Sequence, residues 1–271
     1  MRQNKKLERR SDAIRSENAL EPATRPSPIA GVPFLFYILL MQGELFDLGL
    51  EGRIVDIRDR LKDAFGDLSY STTRAPIGAL VKSIISSRTR DEVSLRAYNK
   101  LTALYPSWRD MAVASPEAIT AAIAEVTYPE PKARHVLETL NHIGRMHPDF
   151  DLLFLRDLPV ARVLDWLQTL PGVGPKVAAA TVNFSTLGQA AFVMDTHILR
   201  VFGRLGLIPA GKSPAAAYGL VMSGLHAWTA AQLCELHVLV KHLGQVKCHS
   251  GHTECRLCPL AGACQSANLA I

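Results

Sequence analysis

From Ile54 to Leu243 apolar residues recur three or four positions apart, and nowhere do they alternate with polar ones over the length of a strand. A period near 3.6 lines one face of a helix, whereas a period of 2 lines one face of a strand, so the chain is predicted to be all-α. Ile54, Ile57, Leu61 and Phe65 open the pattern, which closes at Gly66. The same spacing returns over residues 77–85, 93–104, 119–126, 133–143, 160–170, 176–184, 197–205, 215–225 and 230–243. Pro76, Pro106, Pro116, Pro129, Pro171 and Pro209 fall between these segments. The predicted helices are therefore short, about 8–14 residues each. No repeat with the roughly 20–50-residue period of a solenoid is present, so the expectation is a compact bundle.

A chain of 271 residues with 48% hydrophobic content can bury one large core or two smaller ones joined closely. Its 30 Lys and Arg against 25 Asp and Glu, a net charge of +5, favour a polyanionic partner without requiring one. Residues 1–28 are polar and basic (Arg2, Lys5, Lys6, Arg9, Arg10) and read as a solvated arm, with phosphate contact as the less favoured alternative. The apolar run 29–41 contains Pro33 and is too short for a bilayer, which takes about 20 residues. No membrane contact is expected. A docked helix, or an upstream extension ahead of Met41, both fit that run.

Four of the five cysteines lie close together, spaced Cys248-x6-Cys255-x2-Cys258-x5-Cys264. Disulfide staples in an oxidising compartment would be spread along the chain, so a reducing, cytoplasmic setting with metal ligation is the better reading. Four soft thiolates in one compact loop suit an iron–sulfur cubane better than the paired knuckles of a zinc ribbon. Structural zinc and disulfides are the competing interpretations. Cys234, inside a helical pattern, reads as a small buried hydrophobe.

Between two helical patterns stands Leu170-Pro171-Gly172-Val173-Gly174-Pro175-Lys176. Its glycines permit a close backbone approach, and Pro175 prearranges the first turn of the helix that carries Lys176. Such a turn presents N–H groups at the positive end of a helix and can seat a phosphate. A plain helix connection would use the same residues. Nineteen residues beyond Lys176 comes Asp195-Thr196-His197-Ile198-Leu199-Arg200-Val201.

These two segments together resemble the helix-hairpin-helix and Gly/Pro…Asp signature of the endonuclease III family, and the resemblance covers residues 52–266. The cysteine spacing is similar to that family's [4Fe-4S] loop at every gap. The resemblance implies two helical lobes with a DNA-binding cleft between them. One lobe would span residues 76–189, the other 52–75 plus 190–271, with 1–51 as an N-terminal extension. It implies that Leu170, Gly172, Val173 and Gly174 contact the DNA backbone, that Lys176 is the nucleophile and that Asp195 is the essential carboxylate. A [4Fe-4S] cluster would be held by Cys248, Cys255, Cys258 and Cys264. The expected partner is double-stranded DNA with a damaged base or an abasic site, met by a monomer near the nucleoid.

The chemistry suits that pair. An amine that attacks C1′ of deoxyribose expels the base and forms a Schiff base, from which β-elimination cuts the strand. A lysine must be desolvated, or have a proton acceptor nearby, to serve. A carboxylate handles the proton and stabilises positive charge on the sugar. Out of context, one Lys and one Asp are most often surface charges. Asp195 or Thr196 would cap the following helix, and His197 reads as a structural residue.

Two positions depart from the family. In Ser86-Ser87-Arg88-Thr89-Arg90-Asp91, Arg88 stands where the family has a gap-filling Gln, and Tyr128 stands where a Leu wedge is common. Arg88 can pair with or stack on an orphaned base, and Tyr128 can stack. Both departures bear on lesion preference more than on reaction type. The leading expectation is a glycosylase with lyase activity on oxidised pyrimidines. A monofunctional, adenine-removing glycosylase is disfavoured by Lys176, and a non-catalytic DNA-binding module by the retention of Lys176 and Asp195 together.

Overall fold

The computed structural model describes residues 34–68, 70–209 and 211–267, with side chains from residue 49 onward. The basic arm at residues 1–28 lies outside the described residues, as does the start of the apolar run. The chain divides into two units, Met1–Phe46 and Asp47–Ile271. All that is described of the first unit is backbone of helix α1 (Phe34–Phe65). The second unit holds the rest of α1 and every later helix.

The regular elements of the described residues are all helical, and the only β pairing among these residues is an isolated bridge between Cys248 and Thr253. After α1 come α2 (Pro76–Ile85), α3 (Asp91–Leu104), α4 (Trp108–Ala112), α5 (Pro116–Ala122) and α6 (Pro129–Met146). A 3-10 turn at Leu153–Asp157 precedes α7 (Val160–Gln168), α8 (Pro175–Asn183), α9 (Thr196–Arg204), α10 (Pro214–Gly224) and α11 (Ala230–Val246). The all-α expectation holds. Helix lengths spread more widely than the spacing predicts, from 5 residues in α4 through 18 in α6 to 32 in α1. Among the described helices, none is long and apolar enough to cross a membrane.

Half of the six prolines that separate the segments in sequence open helices in the fold, and two further prolines do the same. Pro76, Pro116, Pro129, Pro175 and Pro214 sit in the first turn, where a missing N–H costs nothing and φ near −65° is already helical. Ser107, Ser115, Ser213 and Thr229 accept the free N–H groups of the helices they precede, Thr229 through a reciprocal capping box with Gln232. Gly66, at φ 71°, ends α1 in the left-handed conformation that a side chain would disfavour.

Two buried apolar clusters organise the fold. One gathers Leu80 and Ile85 of α2, Leu101 of α3, Met111, Ile119, Leu140, Ile143 and the apolar faces of α7 and α8. The other gathers Ile54, Ile57 and Leu61 of α1 with Phe192, Phe202, Val221, Leu236 and Leu243. Each fully buried side chain of this size contributes about 2 kcal/mol. The segment between α8 and α9 joins them residue by residue: Ala191 and Val193 enter the first cluster, Phe192 and Met194 the second. That segment ends at Asp195.

Candidate active site

A cleft of about 940 Å³ is lined by the loop between α2 and α3, the start of α8, the start of α9, and parts of α10 and α11. Lys176 and Asp195 both line it, so the structure brings together the two residues singled out from the sequence.

Lys176 stands in the first turn of α8, behind the hairpin turn 170–174. Leu170 and Val173 are 3% and 6% exposed, so their side chains belong to the first core and not to a surface. The backbone N–H of each is also spoken for, donating to Leu167 O at 3.1 Å and to Leu170 O at 3.2 Å for residues 170 and 173 respectively; an external partner at this turn would therefore meet other groups. The Thr139 hydroxyl fixes the turn by donating to Pro171 O at 2.6 Å. Gly172 has φ 74°, and a Cβ on it would lie 2.5 Å from the His135 Cβ, so no other residue fits without displacement. Gly174 is the N-cap of α8, and no side chain caps that end. The free N–H groups and positive end of α8 thus point outward beside Lys176. Burial pushes the Lys176 ammonium below its ordinary value, Lys241 adds to the effect, and Asp195 and Asp91 oppose it. The result is an amine that sheds its proton more readily than a surface lysine.

Asp195 is the N-cap of α9. Its Oδ1 accepts from His197 N at 2.8 Å and Ile198 N at 3.0 Å, and Oδ2 takes neither bond. Capping holds the carboxylate in one orientation and leaves one oxygen for other work. The segment leading to Asp195 is anchored from below by His237 of α11, which is 3% exposed and whose Nδ1 donates to Val193 O at 2.8 Å. Burial lowers the His237 pKa to about 4, so the ring is neutral, with Nε2 unprotonated. His197 pairs through Nδ1 with Arg200 at 3.0 Å, a structural contact.

Three further lysines surround Lys176, and sequence reasoning missed all of them. Lys82 of α2 is 6% exposed and donates only to hydroxyls, to Ser86 at 2.9 Å and Ser94 at 3.0 Å. Burial brings it down to about 8, with Asp91 opposing. Lys132 of α6 is likewise buried and lowered to about 8 by burial, with Lys176 adding to the shift. Lys241 of α11 pairs with Asp91 at 2.7 Å, linking α11 to the start of α3 across the cleft. Burial alone would raise the Asp91 carboxyl, but Lys241 and a bond from Gln245 outweigh it and hold the group below its usual range. A lysine in a helical pattern looks like surface, so nothing in the local sequence marks these three.

Arg88 and Tyr128 are both exposed and both left-handed, at φ 54° and 57°. Arg88 lines the cleft, and Tyr128 is the N-cap residue of α6.

The loop after α11 carries the four cysteines, none in a disulfide and all partly buried. Cys248, Cys258 and Cys264 pack on the second core. Burial raises the Cys258 thiol, and Cys248, Cys264 and Cys255 each raise it further, as close thiols do. Arg204 donates to Cys248 Sγ at 3.1 Å and to His249 O at 2.7 Å, and the Cys264 thiol approaches Arg204 O at 3.4 Å. Four unpaired cysteines on one loop, three of them seated on the second core and one beside a cationic donor, fit a thiolate-bound iron–sulfur group. Cys234 is 8% exposed and joins the first core, as its sequence setting suggests.

Fold and cleft together define a helix-hairpin-helix protein with an amine and a carboxylate at the mouth of the hairpin. Residues 81–225 match the HhH-GPD superfamily of base excision DNA repair proteins, and the chain belongs to that superfamily. Among relatives, Arabidopsis thaliana endonuclease III homolog 1, chloroplastic, is 25% identical over 202 residues, 72% of this chain and 50% of that protein. DNA glycosylase/AP lyase ROS1 of the same plant is 25% identical over 173 residues, 58% of this chain and 12% of that protein. The chain spans half or less of the length of these relatives. A solved non-covalent endonuclease III–DNA complex superposes with a TM-score of 0.67 at 22% identity, covering 81% of this chain and 97% of that one. At that identity the likeness shows the fold.

Proposed function

We propose that the protein is a base-excision-repair DNA glycosylase with AP lyase activity on damaged, oxidised pyrimidine bases in duplex DNA. The observation that carries this reading is a desolvated amine, Lys176, sharing one cleft with the carboxylate of Asp195 beside an uncapped helix N-terminus. The open end of α8 would hold a backbone phosphate. Lys176 Nζ, having lost its proton, attacks C1′; the C1′–N bond breaks and its electron pair leaves with the base, which is protonated as it departs. Asp195 Oδ2 stays ionised while positive charge develops on the sugar and accepts a proton only afterwards, from the Lys176 nitrogen once its bond to C1′ has formed; the proton on the departing base comes from solvent. Ring opening gives the imine. Removal of a C2′ proton then expels the 3′ phosphate and cuts the strand.

A [4Fe-4S] group held by Cys248, Cys255, Cys258 and Cys264 would supply a structural tie for the loop, since no step transfers an electron. The same reading places the protein in a reducing, cytoplasmic compartment, where these thiols stay unpaired, and has it act as a monomer. It divides the chain at 76–189 and 52–75 plus 190–271, a division supported by the exchange of core partners along residues 191–194.

Borohydride trapping on duplexes carrying an abasic site or an oxidised pyrimidine tests the reading, with Lys176→Met and Asp195→Asn alongside. The expected result is a covalent adduct that requires Lys176. Tight binding with no adduct on either duplex would overturn the lyase assignment.

A further inference from the structure

The loops that carry Arg88 and Tyr128 come from different parts of the chain, yet they meet at one buried ammonium. Lys132, in the first turns of α6, is 6% exposed. Its Nζ donates to Ser87 O at 2.7 Å and to Thr89 Oγ1 at 2.8 Å, the two residues that flank Arg88. The same Thr89 hydroxyl oxygen accepts from Thr127 N at 3.1 Å, the residue that precedes Tyr128. One cation and one hydroxyl thus bind both neighbours of Arg88 and the near neighbour of Tyr128.

What they hold is strained. A non-glycine residue at φ near 55° costs on the order of 1 kcal/mol, and such residues persist only where their surroundings over-determine them. Arg88 and Tyr128 both sit there, and both project outward, Tyr128 with 60% of its surface exposed. A buried ammonium bonded to a carbonyl and a hydroxyl, with neither partner charged, is itself costly to keep. Nothing about core packing requires it, because an apolar side chain would fill the same space without that cost.

We propose that Lys132 is a positioning residue that locks the Arg88 and Tyr128 loops into one unit, so that the two side chains enter a DNA duplex as a single preset wedge. The inference rests on the DNA-acting reading of the cleft. A wedge set in advance avoids ordering two loops at the moment of binding, and the affinity gain comes from that saved ordering.

The test is binding to a duplex in which a stable abasic analogue faces 2-aminopurine, whose fluorescence rises when it is unstacked. It needs no bond cleavage, so failure of the lyase chemistry would leave this readout intact. Lys132→Met is expected to weaken binding and the fluorescence rise about tenfold, and Lys132→Arg to recover most of the loss. Arg88→Ala and Tyr128→Ala are each expected to weaken them as well. Lys132→Met added to the Arg88→Ala/Tyr128→Ala double variant should be no more than about twofold worse than that double variant alone, since the clamp acts through those two side chains. Should Lys132→Met fail to fold by thermal melting, Thr89→Val, which keeps the ammonium and removes the shared oxygen, is read in its place. A folded Lys132→Met with the parent's fluorescence, or losses that simply multiply, would overturn the clamp. Arg88→Ala and Tyr128→Ala both without effect would remove the wedge and the clamp with it.

Discussion

The N-termini of α8 and α9 face the same cleft and are finished in opposite ways. α8 begins at Gly174 with no capping side chain, so its free N–H groups face outward. α9 begins at Asp195, whose Oδ1 takes two of its N–H groups. One end is left open, and the other is closed by a residue that keeps a second oxygen to spare. The contrast explains why the amine and the carboxylate differ in how they tolerate change: Lys176 holds nothing up, whereas Asp195 is part of the scaffold.

Replacing each residue exposes the difference. Lys176→Met should reduce borohydride-trapped adduct at least about 1000-fold while leaving the melting temperature unchanged or higher, because a buried ammonium is exchanged for an apolar chain. A large drop in melting temperature would show that Lys176 is scaffold after all. Asp195→Asn and Asp195→Ala should both slow trapping by about 100-fold or more. Only Ala should also lose about 1 kcal/mol of stability, because Asn still caps. Equal denaturation midpoints for the two would break the capping half of the comparison.

The scaffold beneath Asp195 gives the next effect. His237 has a pKa of about 4 in the fold against an ordinary 6.5. Between those values the unfolded chain takes up a proton that the folded one refuses, so stability falls as pH drops through pH 6.5 to 4, by on the order of 3 kcal/mol. Urea titrations across that window should show the slope, and His237→Asn should flatten it. The smallest effect separates two glycines of one turn. Gly172→Ala meets His135 and a φ of 74°, and should cost about 1–3 kcal/mol. Gly174→Ala meets nothing within 4 Å and should cost less than about 1 kcal/mol. Comparable losses by calorimetry would mean the turn is not held as described.

Much of this was legible in the sequence because it is local. The period near 3.6 marks most of the helices, the turn 170–176 marks the hairpin, and the spacing of Cys248, Cys255, Cys258 and Cys264 marks the loop. α4 escaped because five residues are too few to show a period. α6 begins four residues ahead of its apolar pattern because Pro129 reads as a breaker until its place in the first turn is seen. The burial of Lys82, Lys132 and His237 was illegible for a different reason: it is decided by helices distant in sequence, and a single lysine or histidine carries no sign of what will cover it. Leu170 and Val173 were expected at a DNA surface, and their side chains went to the core because a hairpin this tight needs apolar anchors on both sides of its turn.

α9 carries Asp195 at its first end and Arg204 at its last, and Arg204 grips the cysteine loop through Cys248 and His249. Nine helical residues span roughly 13 Å and bend little. The helix is in effect a rigid crank with the carboxylate on one arm and the thiols on the other. Chemical injury to the thiols, oxidation above all, would therefore be felt as a tilt of the carboxylate, although no residue of the cleft had been touched.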